Sequence, residues 1–256
     1  PLGRRGRGGT DAVYGKLTAA LFTHSTNRDQ EPQIHVHAVI ANCLLGDDGK
    51  WSAVNSRALH NWTPTLGRMF RCNLAHELSS DLKLGLYRPK LDNDRTASWF
   101  EVKGIGRKAI EAFSSRKRAI DEAVSGGGPR LGKAAAKARE RANLQTRKKK
   151  NKSLKLFELD KVWRGVAEEF GLNSDRVASL FGKPYREPSD ELLPKAMDSA
   201  LSKLTDSVAH FSARDVVREV CEQLQHRSFE SRKITNFVFS QLRQSPSIVR
   251  LGQHRN

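Results

Sequence analysis

Cysteine is scarce in this sequence. Three residues, Cys43, Cys72 and Cys221, are scattered over 256 positions and form no C-x-x-C pair. An odd, dispersed set excludes both a zinc ribbon and a disulfide framework, and it fits a reducing, cytoplasmic setting. Long hydrophobic runs are missing as well. No apolar stretch approaches the ~18 residues of a membrane helix, and the Gly/Arg-rich start has no apolar stretch behind it. Neither a membrane span nor a secretory leader is therefore expected. Tyrosine occurs only at Tyr14, Tyr87 and Tyr185. Negative charge is short too: 45 Lys and Arg stand against 28 Asp and Glu, a formal net charge of +17. A domain this basic meets a polyanion, with nucleic acid the first candidate and an acidic membrane surface the second. Hydrophobic residues make up 38% of the chain, enough for a modest core in one large domain or two smaller ones.

Residue patterns divide the chain into a β-rich start and a helical remainder. Residues 16–24 alternate, with Thr18, Ala20, Phe22 and His24 on one strand face and Leu17, Ala19, Leu21 and Thr23 on the other. A polar stretch at 25–33 leads to a second strand over 34–45. Asp47-Asp48-Gly49 then turns the chain into a partner run at 51–54. Thr63-Pro64 reads as a helix start, a capping hydroxyl followed by the helical position that suits proline. Leu66, Phe70, Leu74, Leu78 and Leu82 follow at every fourth residue and predict one buried stripe, ended by Gly85. A second hairpin is expected over 86–103 around Asp92-Asn93-Asp94.

From about 106 the pattern is helical. Ile110, Phe113, Ile120 and Val124 share a face, residues 126–129 (Gly-Gly-Gly-Pro) break the run, and 133–148 is rich in Ala, Lys and Arg. Another helix over 158–170 has Leu159, Val162, Val166 and Phe170 as its core face. Pro184 and Pro188 mark a linker at 182–191. Residues 190–252 read as three helices and a short strand at 248–251, a small winged-helix-like bundle, with Ser212 and Asp215 capping the middle helix. The expected fold class is α+β: an antiparallel sheet palm with helices, then a helical DNA-binding segment and the winged-helix-like piece.

The chemistry is concentrated in His24 and in Ile34-His35-Val36-His37. Residues two apart on a strand point the same way, with Cβ atoms ~7 Å apart at ~3.3 Å rise per residue. His35 and His37 can therefore converge on one cation. The connection at 25–33 can return the chain antiparallel and bring His24 beside them. Three nitrogens with open positions for water or substrate form a catalytic kind of metal site rather than a structural one. The plainer reading is three core histidines. Other H-x-H chemistries fit less well. A deubiquitinase-type metalloprotease wants a serine where Leu45 stands, although Asp48 is suitably spaced. A histidine-triad hydrolase needs a third alternating histidine where Val39 stands. A two-histidine phosphoesterase needs two H-x-[ST] copies, and only His24-Ser25-Thr26 supplies one.

The run Gly8-Gly9, Leu17-Thr18-Ala19-Ala20-Leu21-Phe22-Thr23-His24, Asn27-Arg28-Asp29 and Pro32-Gln33-Ile34-His35-Val36-His37-Ala38-Val39-Ile40-Ala41-Asn42 resembles the conjugative relaxases of the helicase-fused (MobF) class. These are histidine–hydrophobe–histidine endonucleases. The likeness continues more weakly through Asp48-Gly49-Lys50-Trp51 and Leu74-Ala75-His76-Glu77-Leu78, and covers most of 5–185. It implies that His24, His35 and His37 hold a divalent metal, with Mg or Mn as the working ion, while ligand preference alone suits Zn, Ni or Mn. It also implies nicking and rejoining of single-stranded DNA at a plasmid transfer origin through a tyrosine nucleophile, work alongside other conjugation proteins, and a bacterial cytoplasmic location. Domains are then expected as 1–185 (relaxase) and 190–256 (the start of a helicase-like region). One departure stands out. The family's nucleophilic tyrosines, and an acid that orients a metal histidine, precede the first metal histidine by more than the 23 positions found here. Tyr14 does not occupy the nucleophile's place, so that region is expected upstream, or lost. A chain that had lost it would be a non-catalytic single-stranded-DNA-binding module on the relaxase fold.

Between Arg130 and Lys152 ten Lys and Arg face one acid, Glu140. Lys133, Lys137, Arg141 and Lys148 lie near one helical face, and with Arg28 and Arg147 they are the expected DNA contacts. Trp51, Trp62 and Trp99 could stack bases, although core packing is the commoner role. Gly127-x-x-x-x-Gly132-Lys133-Ala134 mimics a phosphate-binding loop but lacks its final hydroxyl.

Overall fold

A computed structural model describes residues 2–6, 8–91, 95–125, 132–146, 155–246, 248–249 and 251. Contacts divide the chain into two compact units, one of residues 3–54 and 105–178, the other of 55–104 and 179–256. The two units interleave in sequence, because the segment 55–104 groups with the C-terminal helices.

The first unit is built on a long antiparallel hairpin. Its strands are β2 (Asp11–Thr26) and β3 (Pro32–Gly46), flanked by β1 (Leu2–Arg5) and β4 (Trp51–Val54). The expected alternation is present, and both strands run longer than the pattern indicated. β4 pairs with β3 and with β1, so the four strands close on themselves. The β3–β4 turn needs a left-handed residue, which Gly49 supplies at φ +73°. Arg5 holds that turn from β1 through an ion pair to Asp48 at 2.5 Å, and the guanidinium brings the Asp48 carboxyl down to about 2. Leu44 and Val54 are buried, whereas Leu21, Phe22, Ile34, Val36, Val39 and Ile40 lie exposed on the hairpin.

Four helices complete this unit: α2 (Arg107–Ala112), α3 (Ser115–Ser125), α4 (Gly132–Gln145) and α5 (Leu156–Glu169), with the short α6 (Ser174–Ala178) after them. The single apolar face expected from Ile110 to Val124 is split by the break at Phe113-Ser114, and α3 contains no buried residue. In α5 Leu159 is buried, but Val162 is 55% exposed.

The second unit has the larger core. Its elements are α1 (Ser56–Ser80), the two-stranded β5 (Leu86–Tyr87) and β6 (Glu101–Val102), α7 (Leu192–Ser207), α8 (Ala213–Leu224) and α9 (Ser231–Gln244). Val216, Val217, Val220, Ile234 and Val238 are fully buried, each contributing about 1.5–3 kcal/mol on transfer from water. The Ser212–Asp215 capping box of α8 forms as expected. Of the short strand expected at 248–251, the described residues Ile248, Val249 and Leu251 belong to neither helix nor strand.

Helix α1 departs most from expectation. It begins seven residues before Thr63, capped by Asn55, whose side chain accepts the Ala58 N–H at 3.2 Å. Pro64 lies inside the helix, where it removes a backbone donor, and packing against α8 outweighs that loss. The buried side is also different. Leu66, Phe70, Leu74 and Leu82 are exposed, while Thr65, Cys72, Ala75 and Ser79 are buried. Small residues let α1 approach α8 closely enough for the Cys72 thiol to donate to the Cys221 carbonyl at 3.4 Å. Arg68 pairs with Glu222 at 3.0 Å, and Arg71 donates to Gln225 at 2.7 Å. Polar edge contacts of this kind are invisible to a search for apolar periodicity.

Candidate metal centre

The β2–β3 register places His24 directly opposite His35, with Phe22 opposite His37. A strand alternates its side chains, so all three imidazoles project from one face. Ring centroids lie 5.5 Å apart for His24–His35, 4.7 Å for His24–His37 and 5.0 Å for His35–His37. One ligand nitrogen from each ring falls within 4.8 Å of the other two. Nitrogens bound to one cation at about 2.0–2.1 Å lie within that separation of each other. His24 and His35 are half-buried and His37 is exposed, so one side of the site faces solvent.

The second ring nitrogen matters as much as the first. His35 Nδ1 lies 2.9 Å from the Gln33 carbonyl. A carbonyl only accepts, so Nδ1 carries the proton and Nε2 is left with its lone pair for a cation. The donor set is three imidazoles with no thiolate, which suits borderline divalent ions. The residues present therefore fit a divalent metal.

The turn between the two strands is tightly built. Asn27 Oδ1 accepts the N–H groups of Asp29 and Glu31 at 2.9 and 3.0 Å. Asn27 Nδ2 donates to Glu31 Oε2 at 2.6 Å, and Gln30 takes a left-handed φ of +60°. The helices reach this turn at two points. Ser115 N–H donates to Glu31 Oε1 at 2.7 Å, and the Trp163 indole N–H donates to the Gln30 carbonyl at 2.8 Å. The sequence reading missed Glu31, Gln30 and Trp163. Their partners lie 84 and 133 residues away, and no spacing rule reveals such pairs.

Arg28 is exposed on the same turn. Lys137 and Arg141 are exposed on α4. The Lys133 side chain, Arg147, Lys148 and most of the loop resembling a phosphate-binding motif lie outside the described residues. Tyr14 is on β2 ten residues before His24, about 33 Å along a strand rising ~3.3 Å per residue. Trp51, Trp62 and Trp99 are 62%, 37% and 36% exposed, so none is a core residue. Among the described residues no helix is long and apolar enough to cross a membrane.

A solvent-facing cluster of three imidazoles on an antiparallel hairpin gives this α+β chain the histidine–hydrophobe–histidine arrangement. The chain belongs to the TrwC relaxase family, whose pattern it matches over residues 2–170. It is 31% identical over 227 residues to the multifunctional conjugation protein TraI of Escherichia coli (strain K12), a match covering 80% of this chain and 12% of that relative. Among solved structures it resembles the conjugative relaxase TrwC in complex with oriT DNA in its metal-bound form. That similarity is 29% identity with a TM-score of 0.56, covering 67% of this chain and 57% of that one. A copper-bound TrwC–oriT complex matches to the same extent. The chain thus spans about an eighth of the TraI relative and little more than half of the TrwC structures.

Proposed function

We propose that this chain carries the metal-binding and DNA-binding part of a relaxase that nicks and rejoins single-stranded DNA at a plasmid transfer origin. The observation that carries the reading is the convergence of three imidazole nitrogens within 4.8 Å on one open sheet face. The TrwC structures, in complex with oriT DNA and described as metal-bound and copper-bound, support both ligands. A divalent cation held by His24, His35 and His37 would supply positive charge against the negative charge that builds on a scissile phosphate.

The chain's own residues do the rest. His24, His35 and His37 fix the cation's position, and the Gln33 carbonyl holds the His35 tautomer that leaves Nε2 free. Arg28, Lys137 and Arg141, with Lys133, Arg147 and Lys148, engage the phosphate backbone and align the strand over the histidines. The family resemblance assigns the attacking hydroxyl to a tyrosine, and Tyr14, far along β2 from the histidines, does not take that place. The resulting covalent link preserves the phosphodiester energy for rejoining. The working ion is proposed as Mg or Mn, with Zn or Ni as alternatives set by the imidazole ligands.

Calorimetric titration of Mn²⁺, beside fluorescence anisotropy with a single-stranded oligonucleotide, tests this. Wild type should bind both. His35→Ala with His37→Ala should abolish metal uptake while retaining most DNA affinity. Undiminished metal uptake by the double variant would overturn the reading.

A further inference from the structure

The turn between the metal-bearing strands is also the anchor of the basic helices, and Glu31 is its hub. One carboxylate oxygen accepts from Asn27 within the turn at 2.6 Å, and the other accepts the Ser115 N–H, the first of α3, at 2.7 Å. A carboxylate at a helix N-terminus is favoured by the unpaired N–H groups and the dipole there. Ser114, immediately before α3, turns its own hydroxyl back to the Ile110 carbonyl at 2.7 Å, so Glu31 provides the cap from across the fold. Trp163 of α5 secures the adjacent Gln30 carbonyl.

The connection continues beyond α3. Arg116, the next residue of α3, donates to the Thr146 carbonyl at 2.8 Å and to Asn143 Oδ1 at 2.5 Å, holding the C-terminal end of α4. Arg139 of α4 answers with an ion pair to Asp121 of α3 at 2.6 Å. Helix α4 carries Lys137 and Arg141. An unbroken series of contacts thus runs from the segment that spaces His24 from His35 to the helix assigned to DNA.

We infer that Glu31 is a positioning residue that sets both the histidine cluster and the DNA-binding helices, so that metal capture and strand capture depend on one carboxylate that touches neither ligand. The inference rests on the proposed function and adds a residue to it. Its sign separates it from simple electrostatics. Removing a negative charge from a basic protein strengthens DNA binding. Losing the hub misplaces α3 and α4 and weakens it.

The test measures two affinities separately: Mn²⁺ without DNA, and a single-stranded oligonucleotide in the presence of a chelator. Glu31→Ala should weaken each by about 3- to 10-fold, at or below the lower edge of what outer-layer changes cost a metal site. Glu31→Gln removes the same charge and keeps an oxygen for the Ser115 N–H, but it sets an NH2 against the Asn27 Nδ2 donor, so both affinities should fall between those of Glu31→Ala and wild type. Trp163→Phe, which loses the grip on Gln30 while keeping an aromatic ring, should lower metal affinity in the same direction. In DNA affinity, Glu31→Ala and Lys137→Ala should be non-additive, since the first displaces the helix bearing the second. Thermal melts show whether the variants are folded. Wild-type Mn²⁺ affinity in Glu31→Ala, or DNA binding that stays equal or tightens, overturns the inference alone. A wild type that takes up no metal overturns the proposed function and this inference together.

Discussion

His24 faces His35 across the antiparallel β2–β3 pair, their ring centroids 5.5 Å apart, and His37 joins them because it stands two positions further along β3. The site exists through register. Exchanging residues 36 and 37 (Val36→His with His37→Val) keeps composition and charge but sends one imidazole to the opposite face. This double variant should bind Mn²⁺ no better than His37→Ala in calorimetry. Retained wild-type affinity would show that register is not what assembles the site.

The hairpin and its histidines were legible in the sequence because a strand's period of two is short-range and strict. Ala20, Phe22 and His24 alternate visibly, and Asp48-Gly49 marks the return. The Ser212–Asp215 cap of α8 was legible for the same reason, since its partners are three residues apart. Contacts that cross the fold left no such trace. The Glu31–Ser115 bond and the burial of Cys72 and Ala75 in α1 depend on distant segments meeting. Leu66, Phe70 and Leu74 made a clear stripe at helical spacing, yet spacing reports only that residues share a face. It does not say which face the neighbouring helix covers.

The start of α1 provides a direct measurement. Asn55 accepts the Ala58 N–H, whereas the Thr63 hydroxyl donates to the Leu59 carbonyl at 3.2 Å inside the helix. Asn55→Ala should therefore cost about 1 kcal/mol, the ordinary loss of an N-cap side chain. Thr63→Ala should change stability by less than about 0.5 kcal/mol, as for other exposed helical positions. Urea unfolding of both variants checks this, and a reversed order would move the helix start back to Thr63.

Single-stranded DNA binding should depend steeply on salt. Each neutralised phosphate contributes about −0.7 to the slope of log K against log salt on single strands. Lys137→Ala and Arg141→Ala should each flatten that slope by about 0.7 and lower affinity similarly for unrelated oligonucleotide sequences. Anisotropy titrations from low to moderate salt measure it. An unchanged slope would make α4 a solvated helix rather than a DNA contact.

His226 lies in the second unit, at the end of α8, and burial, with the nearby charges of Arg227, Arg88 and Lys103, pushes its imidazole down to about 4 from 6.5. Its Nδ1 is buried without a hydrogen-bond partner among the described residues. The fold therefore favours the neutral ring, and between pH 6.5 and about 4 the unfolded chain binds the extra proton. Stability from this group is complete above pH 6.5 and declines as pH falls through that window. Allowing for the partial exposure of the ring, the loss is on the order of 1–2 kcal/mol. Carboxylates contribute their own acid dependence, so the informative quantity is a difference. His226→Gln should be less sensitive than wild type to a change from pH 7 to pH 4.5 in urea unfolding. Equal losses in the two proteins would show that His226 titrates as an ordinary surface histidine.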